Sequence, residues 1–193
     1  MIKMQIGGHS SIFQQCAAYK IAIPPDVIDY YLPERQYGYR ANSQINQMRK
    51  LYFFSKLFSR FTRTEFDDYI DQLPFSPSFD YFLKQLSKEN NPPVHYNFVL
   101  LDDYIIFIRT PINLNRPVNR LCKHITIASR ANYARFAGEI WCDRYKRVFI
   151  NNNSGTYRPP DIFVEPALEL FRYLSPKTTF KGISYQISPQ AVV

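Results

Sequence analysis

HYNFVLLDDYIIFIR, residues 95 to 109, is the stretch that decides the fold. Its residues are apolar almost without interruption, apart from the acidic pair Asp102-Asp103 near the middle. Two short runs rich in Ile, Val, Phe and Tyr, parted by two residues of turn type, are the pattern of a β-hairpin. The spacing predicts strands over about 96–101 and 104–109. Because neither run alternates cleanly between apolar and polar, both faces of these strands are expected to be covered.

Working outward toward the C-terminus, KHITIAS (123–129) reads as a third strand, FAGEIWC (136–142) as a fourth and RVFINN (147–152) as a fifth. The polar tetrapeptide DRYK closes the last two. Pro159-Pro160 marks a turn, and a helix follows with Ala167, Leu170, Phe171 and Leu174 inward and Pro166 in its first turn, where the missing N–H costs nothing. FKGISYQI (180–187) reads as the final strand.

Toward the N-terminus the period changes to that of a helix. A basic amphipathic helix is expected over about 43–61, a second one capped by Thr64 with Phe66, Tyr69, Ile70 and Leu73 inward, and a third capped by Ser78 with Phe79, Phe82, Leu83 and Leu86 inward. KENNPP stops the third. The fold class is therefore α+β: an antiparallel sheet of about five to six strands, a C-terminal helix against it, and an N-terminal helical cluster on its other side or edge. Residues 1–25 read as a lead and 26–193 as one domain, helical to 93 and strand-rich from 94.

Composition narrows the class of protein. With 193 residues, 46% hydrophobic and 21% charged, the chain suits one packed core and is not a disordered polymer. Aromatic residues make up 17%, a supply of rings for the core or for stacking on a ligand. Cys16, Cys122 and Cys142 are odd in number and lack CxxC spacing, which points to a reducing compartment and to no disulfide frame or zinc knuckle. No stretch has the length of a transmembrane helix and the N-terminus has no signal-like apolar core, so a cytoplasmic location is expected, with delivery into a host cell left open.

The net charge is +8, and Arg109 to Arg158 holds ten bases against Glu139 and Asp143 alone. Such a concentration attracts anions: a phosphate or nucleotide, an acidic protein surface or nucleic acid, although no nucleic-acid motif is present. The basic helix over 43–61 reads as a core stripe with a wet basic face, or as a segment that docks an acidic groove or an anionic membrane.

Inside the basic segment lies NNNSGTYRPP, residues 151 to 160. Asn and Gly tolerate positive φ, and successive amides in such a loop converge on an anion or simply make a turn. The ligand-binding residues expected from it are Asn152, Asn153, Ser154, Gly155, Thr156, Tyr157 and Arg158, with Lys123 nearby. Glu139, a lone acid in an apolar strand, and His124, at the head of the neighbouring expected strand, are the candidates for acid–base work. No metal site and no particular cofactor follow from these residues.

Lys123-His124, Ala137-Gly138-Glu139 and the Ser154-Gly155-Thr156-Tyr157-Arg158-Pro159 loop, in that order, resemble the C-terminal module of the plant IQ-motif-containing (IQM) proteins and similar fungal and bacterial sequences. YLPERQYGYR (31–40) and FDYFL (79–83) resemble upstream elements of the same module, so that the likeness spans about residues 28–187. It implies a shared domain and a shared loop and assigns no reaction. IQxxxRGxxxR is missing from the chain, so calmodulin binding is not carried over. The leading expectation is a binding domain that takes an anionic, phosphate- or nucleotide-like group at the SGTYRP loop. The alternative is a group-transfer enzyme of ADP-ribosyltransferase-like type using Arg35 or Arg40, His124 and Glu139, and the next is a nucleic-acid-binding protein.

Overall fold

The hairpin read from residues 95–109 is the centre of the molecule. In the computed structural model, which describes residues 17–38, 70–110, 123–129 and 131–185, strands β3 (Tyr96–Leu100) and β4 (Tyr104–Arg109) pair antiparallel with Leu100 opposite Ile105. The Leu101 amide donates to the Tyr104 carbonyl at 2.9 Å, closing the turn at Asp102-Asp103. The first two expected helices fall outside the described residues, apart from the end of the second at Ile70 and Asp71.

Around this hairpin a six-stranded sheet assembles. Strand β1 (Ala18–Ala22) pairs with β4, β6 (Phe136–Cys142) pairs with β3, β7 (Val148–Asn151) with β6 and β8 (Phe180–Ile183) with β7. The order is β1-β4-β3-β6-β7-β8, so both hairpin strands are interior, as their apolar sequence demands. All pairs are antiparallel except β7–β8, which is parallel. The chain reaches β8 through a 3₁₀ turn and a long helix, and such a crossover returns it pointing the same way. β1 comes from the segment read as a lead. A two-stranded ribbon, β2 (Gln36–Tyr37) with β5 (Tyr133–Ala134), sits apart from the main sheet.

Helices α1 (Pro25–Tyr31), α2 (Phe79–Leu86) and α4 (Val164–Leu174) share one face of the sheet. Ser78 caps α2 by accepting from the Tyr81 amide, and Phe79, Phe82, Leu83 and Leu86 are buried, as the spacing predicts. Phe82 stacks on Phe107 with centroids 4.0 Å apart, and Phe79 on Phe180 at 6.1 Å, so rings dominate this core. The described N-terminal helices thus lie beside the C-terminal one, not on the opposite face or edge.

The opposite face has a second, smaller core of Val99, Ile106, Ile108, Ala137 and Tyr157. The segment 123–129 covers it, and here the expectation of a third strand is corrected. His124–Ile127 is one turn of helix, α3. Both edges of β3 are occupied by β4 and β6, and the far edge of β6 by β7, so no strand partner exists at that place. The segment instead turns Ile127 and Ala128 onto the sheet face. An apolar stretch this short fits either period, and the available edges decide.

Candidate functional site

The loop after β7 is held by a dense set of hydrogen bonds, within itself and to its neighbours. The Asn152 side chain donates to the Pro159 carbonyl at 2.8 Å and to Asp161 Oδ1 at 2.7 Å, and accepts from the Tyr185 amide at 2.7 Å. Ser154 Oγ accepts from the Tyr157 amide at 3.2 Å, and the Tyr157 hydroxyl donates to the Ala131 carbonyl at 2.7 Å. Burial pushes the Tyr157 phenol well above its usual range. The amides of Asn153, Ser154 and Arg158 also donate within the segment, to Asn151 Oδ1, the Asn152 carbonyl and the Ser154 carbonyl. Asn152, Ser154, Thr156 and Tyr157 are all buried. The amides expected to converge on an anion are thus largely committed to the bend.

The backbone strain falls on an unexpected residue. Gly155 keeps an ordinary φ and has open space where a side chain would stand, whereas Arg158 adopts φ 44°. Its Nε is buried without a hydrogen-bond partner. Lys123 is exposed at the start of α3. Several of the other bases counted in the segment are tied to acids: Arg109 to Glu89 at 3.3 Å, Arg147 to Asp143 at 2.6 Å, and Arg135 to both Asp102 and Asp29 at 2.6 Å. Arg116, Arg120 and Arg130 lie outside the described residues.

His124 and Glu139 are brought to neighbouring places without a bond between their side chains. His124 is buried, with Nε2 2.9 Å from the Gly138 carbonyl. Burial drives its pKa below the usual imidazole value, offset in part by the Gly138 carbonyl and by Glu139. In the neutral ring Nε2 carries the proton and donates to that carbonyl. Glu139 is held from the other side, by β7. Asn151 Nδ2 donates to Glu139 Oε2 at 2.8 Å, and Asn151 Oδ1 accepts from the Glu139 amide at 2.9 Å. Arg35 is bound to Asp102 at the β3–β4 turn, while Arg40 lies outside the described residues.

The partner that Glu139 has on its open side is a different histidine. His95 Nδ1 stands 4.0 Å from Glu139 Oε2, with the two side chains 42% and 22% exposed. The His95 ring lies flat against Trp141, centroids 4.6 Å apart and planes within 4°, and Trp141 lies against Phe149 at 5.5 Å and 10°. The Arg147 guanidinium sits 5.7 Å from the centre of the Phe149 ring. These rings come from adjacent strands in register: Trp141 pairs with Phe149, and Tyr96, next to His95, pairs with Ile140. One step along the same face, Asn97, Glu139 and Asn151 form the next cross-strand row. α3 covers the sheet over β3 and β4, leaving His95, Trp141 and Phe149 only partly buried. Arg144 and Lys146, in the β6–β7 turn, are exposed beside this strip, and Lys181 is the β8 partner of Phe149.

The site that emerges is a strip of ring edges with a half-buried carboxylate at its side and cations at its rim. Glu139, singled out in the sequence, lies beside this strip, while His95, Trp141, Phe149 and Asn151 were not singled out there. Part of the signal was available. Alternation puts Trp141 on the face of Glu139, and Phe149 on that of Asn151. His95 joins only through β3–β6 pairing, which links residues more than forty positions apart.

A separate open groove of about 430 Å³ runs between α4 and β8, bordered by Glu165, Arg172, Phe180 and Lys181. Among the described residues no group of three or more His, Cys, Asp or Glu is placed to hold a metal ion, and no helix is long and apolar enough to cross a membrane. No protein-family model, no curated protein and no solved structure matches the chain, so the likeness to the IQM module rests on its motifs alone.

Proposed function

We propose that this protein is a binding domain for an anionic, ring-bearing ligand of nucleotide type, and that the ligand lies on the His95–Trp141–Phe149 strip beside the SGTYRP loop. The observation that carries the reading is the strip itself: three rings, on β6, on β7 and just ahead of β3, stacked on one another yet left partly open to solvent. A flat guest lying on ring edges gains edge-to-face contact, worth about 0.5–1.5 kcal/mol per ring beyond the area it buries. Arg144, Lys146 and Lys181 supply the positive rim for phosphate. Arg158, with its strained backbone and unpaired Nε, is the loop's own candidate for an anion contact. The shared loop of the IQM resemblance then shapes the wall of the site.

Trp141 is the only tryptophan in the chain, so its fluorescence reports on this strip alone. Titration with AMP, GMP, UMP and inorganic phosphate is expected to quench or shift it with at least one nucleotide, and Trp141→Phe is expected to weaken binding followed by calorimetry. No nucleotide changing either the fluorescence or the melting temperature defeats the proposal.

One observation favours a second reading, group transfer. A carboxylate fixed by Asn151 next to an exposed imidazole at 4.0 Å is an arrangement that can move a proton. In this version His95 takes the role expected of His124. Nicotinamide release from NAD, lost in Glu139→Gln, is the assay; no release above the protein-free rate ends this reading.

A further inference from the structure

We propose that Glu139 makes this site selective for ribonucleotides, by accepting hydrogen bonds from the ribose hydroxyls of the ligand. The inference rests on the binding reading above and adds the chemical feature that the ligand must carry. Asn151 Nδ2 occupies Oε2 of the carboxylate and fixes the plane of the group. Among the described residues nothing donates to Oε1, on a side chain 22% exposed. An ionised carboxylate only accepts hydrogen bonds, so the complementary group is a donor, and not a second anion.

Position narrows the kind of donor. Glu139 is two residues from Trp141 on the same strand and the same face, a separation of ~6.7 Å along the sheet. A flat base lying on the strip therefore presents its sugar to the row Asn97–Glu139–Asn151, not to the rings. A vicinal diol offers two O–H donors at that distance, and an acidic side chain accepting from ribose hydroxyls is an established way to hold a nucleotide. The 2′-hydroxyl is also the group by which proteins tell ribose from deoxyribose. His95 Nδ1 stands 4.0 Å from Oε2, on the side that Asn151 already holds, which leaves Oε1 for the diol.

The experiment uses the whole chain and follows Trp141 fluorescence during titration with AMP and 2′-deoxy-AMP. The wild type is expected to bind AMP about tenfold more tightly, because a half-exposed carboxylate discriminates less than a fully buried one. In Glu139→Gln, which keeps the shape and an acceptor but loses the charge, the ratio is expected to fall to within about twofold, through a larger loss of affinity for AMP than for 2′-deoxy-AMP, which offers the side chain only its 3′-hydroxyl. Equal affinities in the wild type, or a ratio that survives Glu139→Gln, overturn the inference and leave the binding reading standing. Where GMP or UMP is the nucleotide that binds, its 2′-deoxy counterpart replaces 2′-deoxy-AMP in the comparison, and failure of AMP, GMP and UMP alike to bind overturns the two together.

Discussion

Gly138 is where a single atom decides whether the site can form. A Cβ there would stand 1.8 Å from the Asn151 carbonyl oxygen and 3.2 Å from Asn152 Cα, both backbone atoms that cannot swing away. Gly138→Ala is therefore expected to cost about 3 kcal/mol, a fall in melting temperature of roughly 6–12 °C, measured by calorimetry. His124, which hydrogen-bonds the carbonyl of the same glycine, makes a prediction with a sign. Its folded pKa lies below the unfolded value of about 6.5, so the unfolded chain binds the extra proton more readily. The stability this neutral ring contributes is complete above that value and declines as the pH falls through and below it. Urea midpoints between pH 7.5 and 5 are expected to drop in the wild type and to drop less in His124→Gln, whose amide can still donate to Gly138. Equal slopes for the two proteins would contradict the buried neutral imidazole. In the loop, Tyr157→Phe removes the 2.7 Å bond to the Ala131 carbonyl and should cost about 1–2 kcal/mol.

Among the elements, the Arg135 side chain ties helix α1 and the ribbon β2–β5 to the turn between β3 and β4. The Arg135 guanidinium donates to Asp102 and to the Leu32 and Pro33 carbonyls and pairs with Asp29, while the Asp102 carboxylate also accepts from the Tyr133 hydroxyl at 2.9 Å. Removing the arginine alone leaves carbonyls and a carboxylate without their donor, so Arg135→Met is expected to cost about 3 kcal/mol. Asp102→Asn added to it should cost less than the sum of the two single changes, because each already breaks the same contact. A cycle of four urea curves measures this, and strict additivity would mean that the pair does not act as a unit. Elements also show where legibility stopped. The hairpin at 96–109, strands β6 and β7, the Ser78-capped helix and α4 were readable because each carries its period and its turn or cap within its own residues. Segment 123–129 was not, since an apolar stretch of that length becomes strand or helix according to whether a sheet edge is free.

For the molecule as a whole, the N-terminal segment matters more than its reading as a lead suggests. Strand β1 covers the edge of β4, whose sequence YIIFIR is apolar at nearly every position. Deleting residues 1–22 is expected to lower stability and to expose that edge to pairing with other copies, seen as concentration-dependent light scattering. A truncated chain that stays monomeric and melts at the wild-type temperature would show that β1 is dispensable. The charge of +8 changes meaning at this scale too. Arg109, Arg135 and Arg147 each have an acidic partner, so among the described residues the basic segment of the sequence presents exposed cations near β6–β7 and at Lys123. By itself the sequence determined the α+β class, the central hairpin, the inward faces of α2 and α4 and the lone acid Glu139, because periodicity, caps and turn residues act over a few neighbours. Only the tertiary structure decided that His95, Trp141 and Phe149 stack beside that acid, that most amides of the loop after β7 are committed to its own bend, and that 123–129 is helical. Those outcomes depend on which strands lie side by side and which edges remain open, and strand pairing joins residues too far apart in the chain for local pattern to specify.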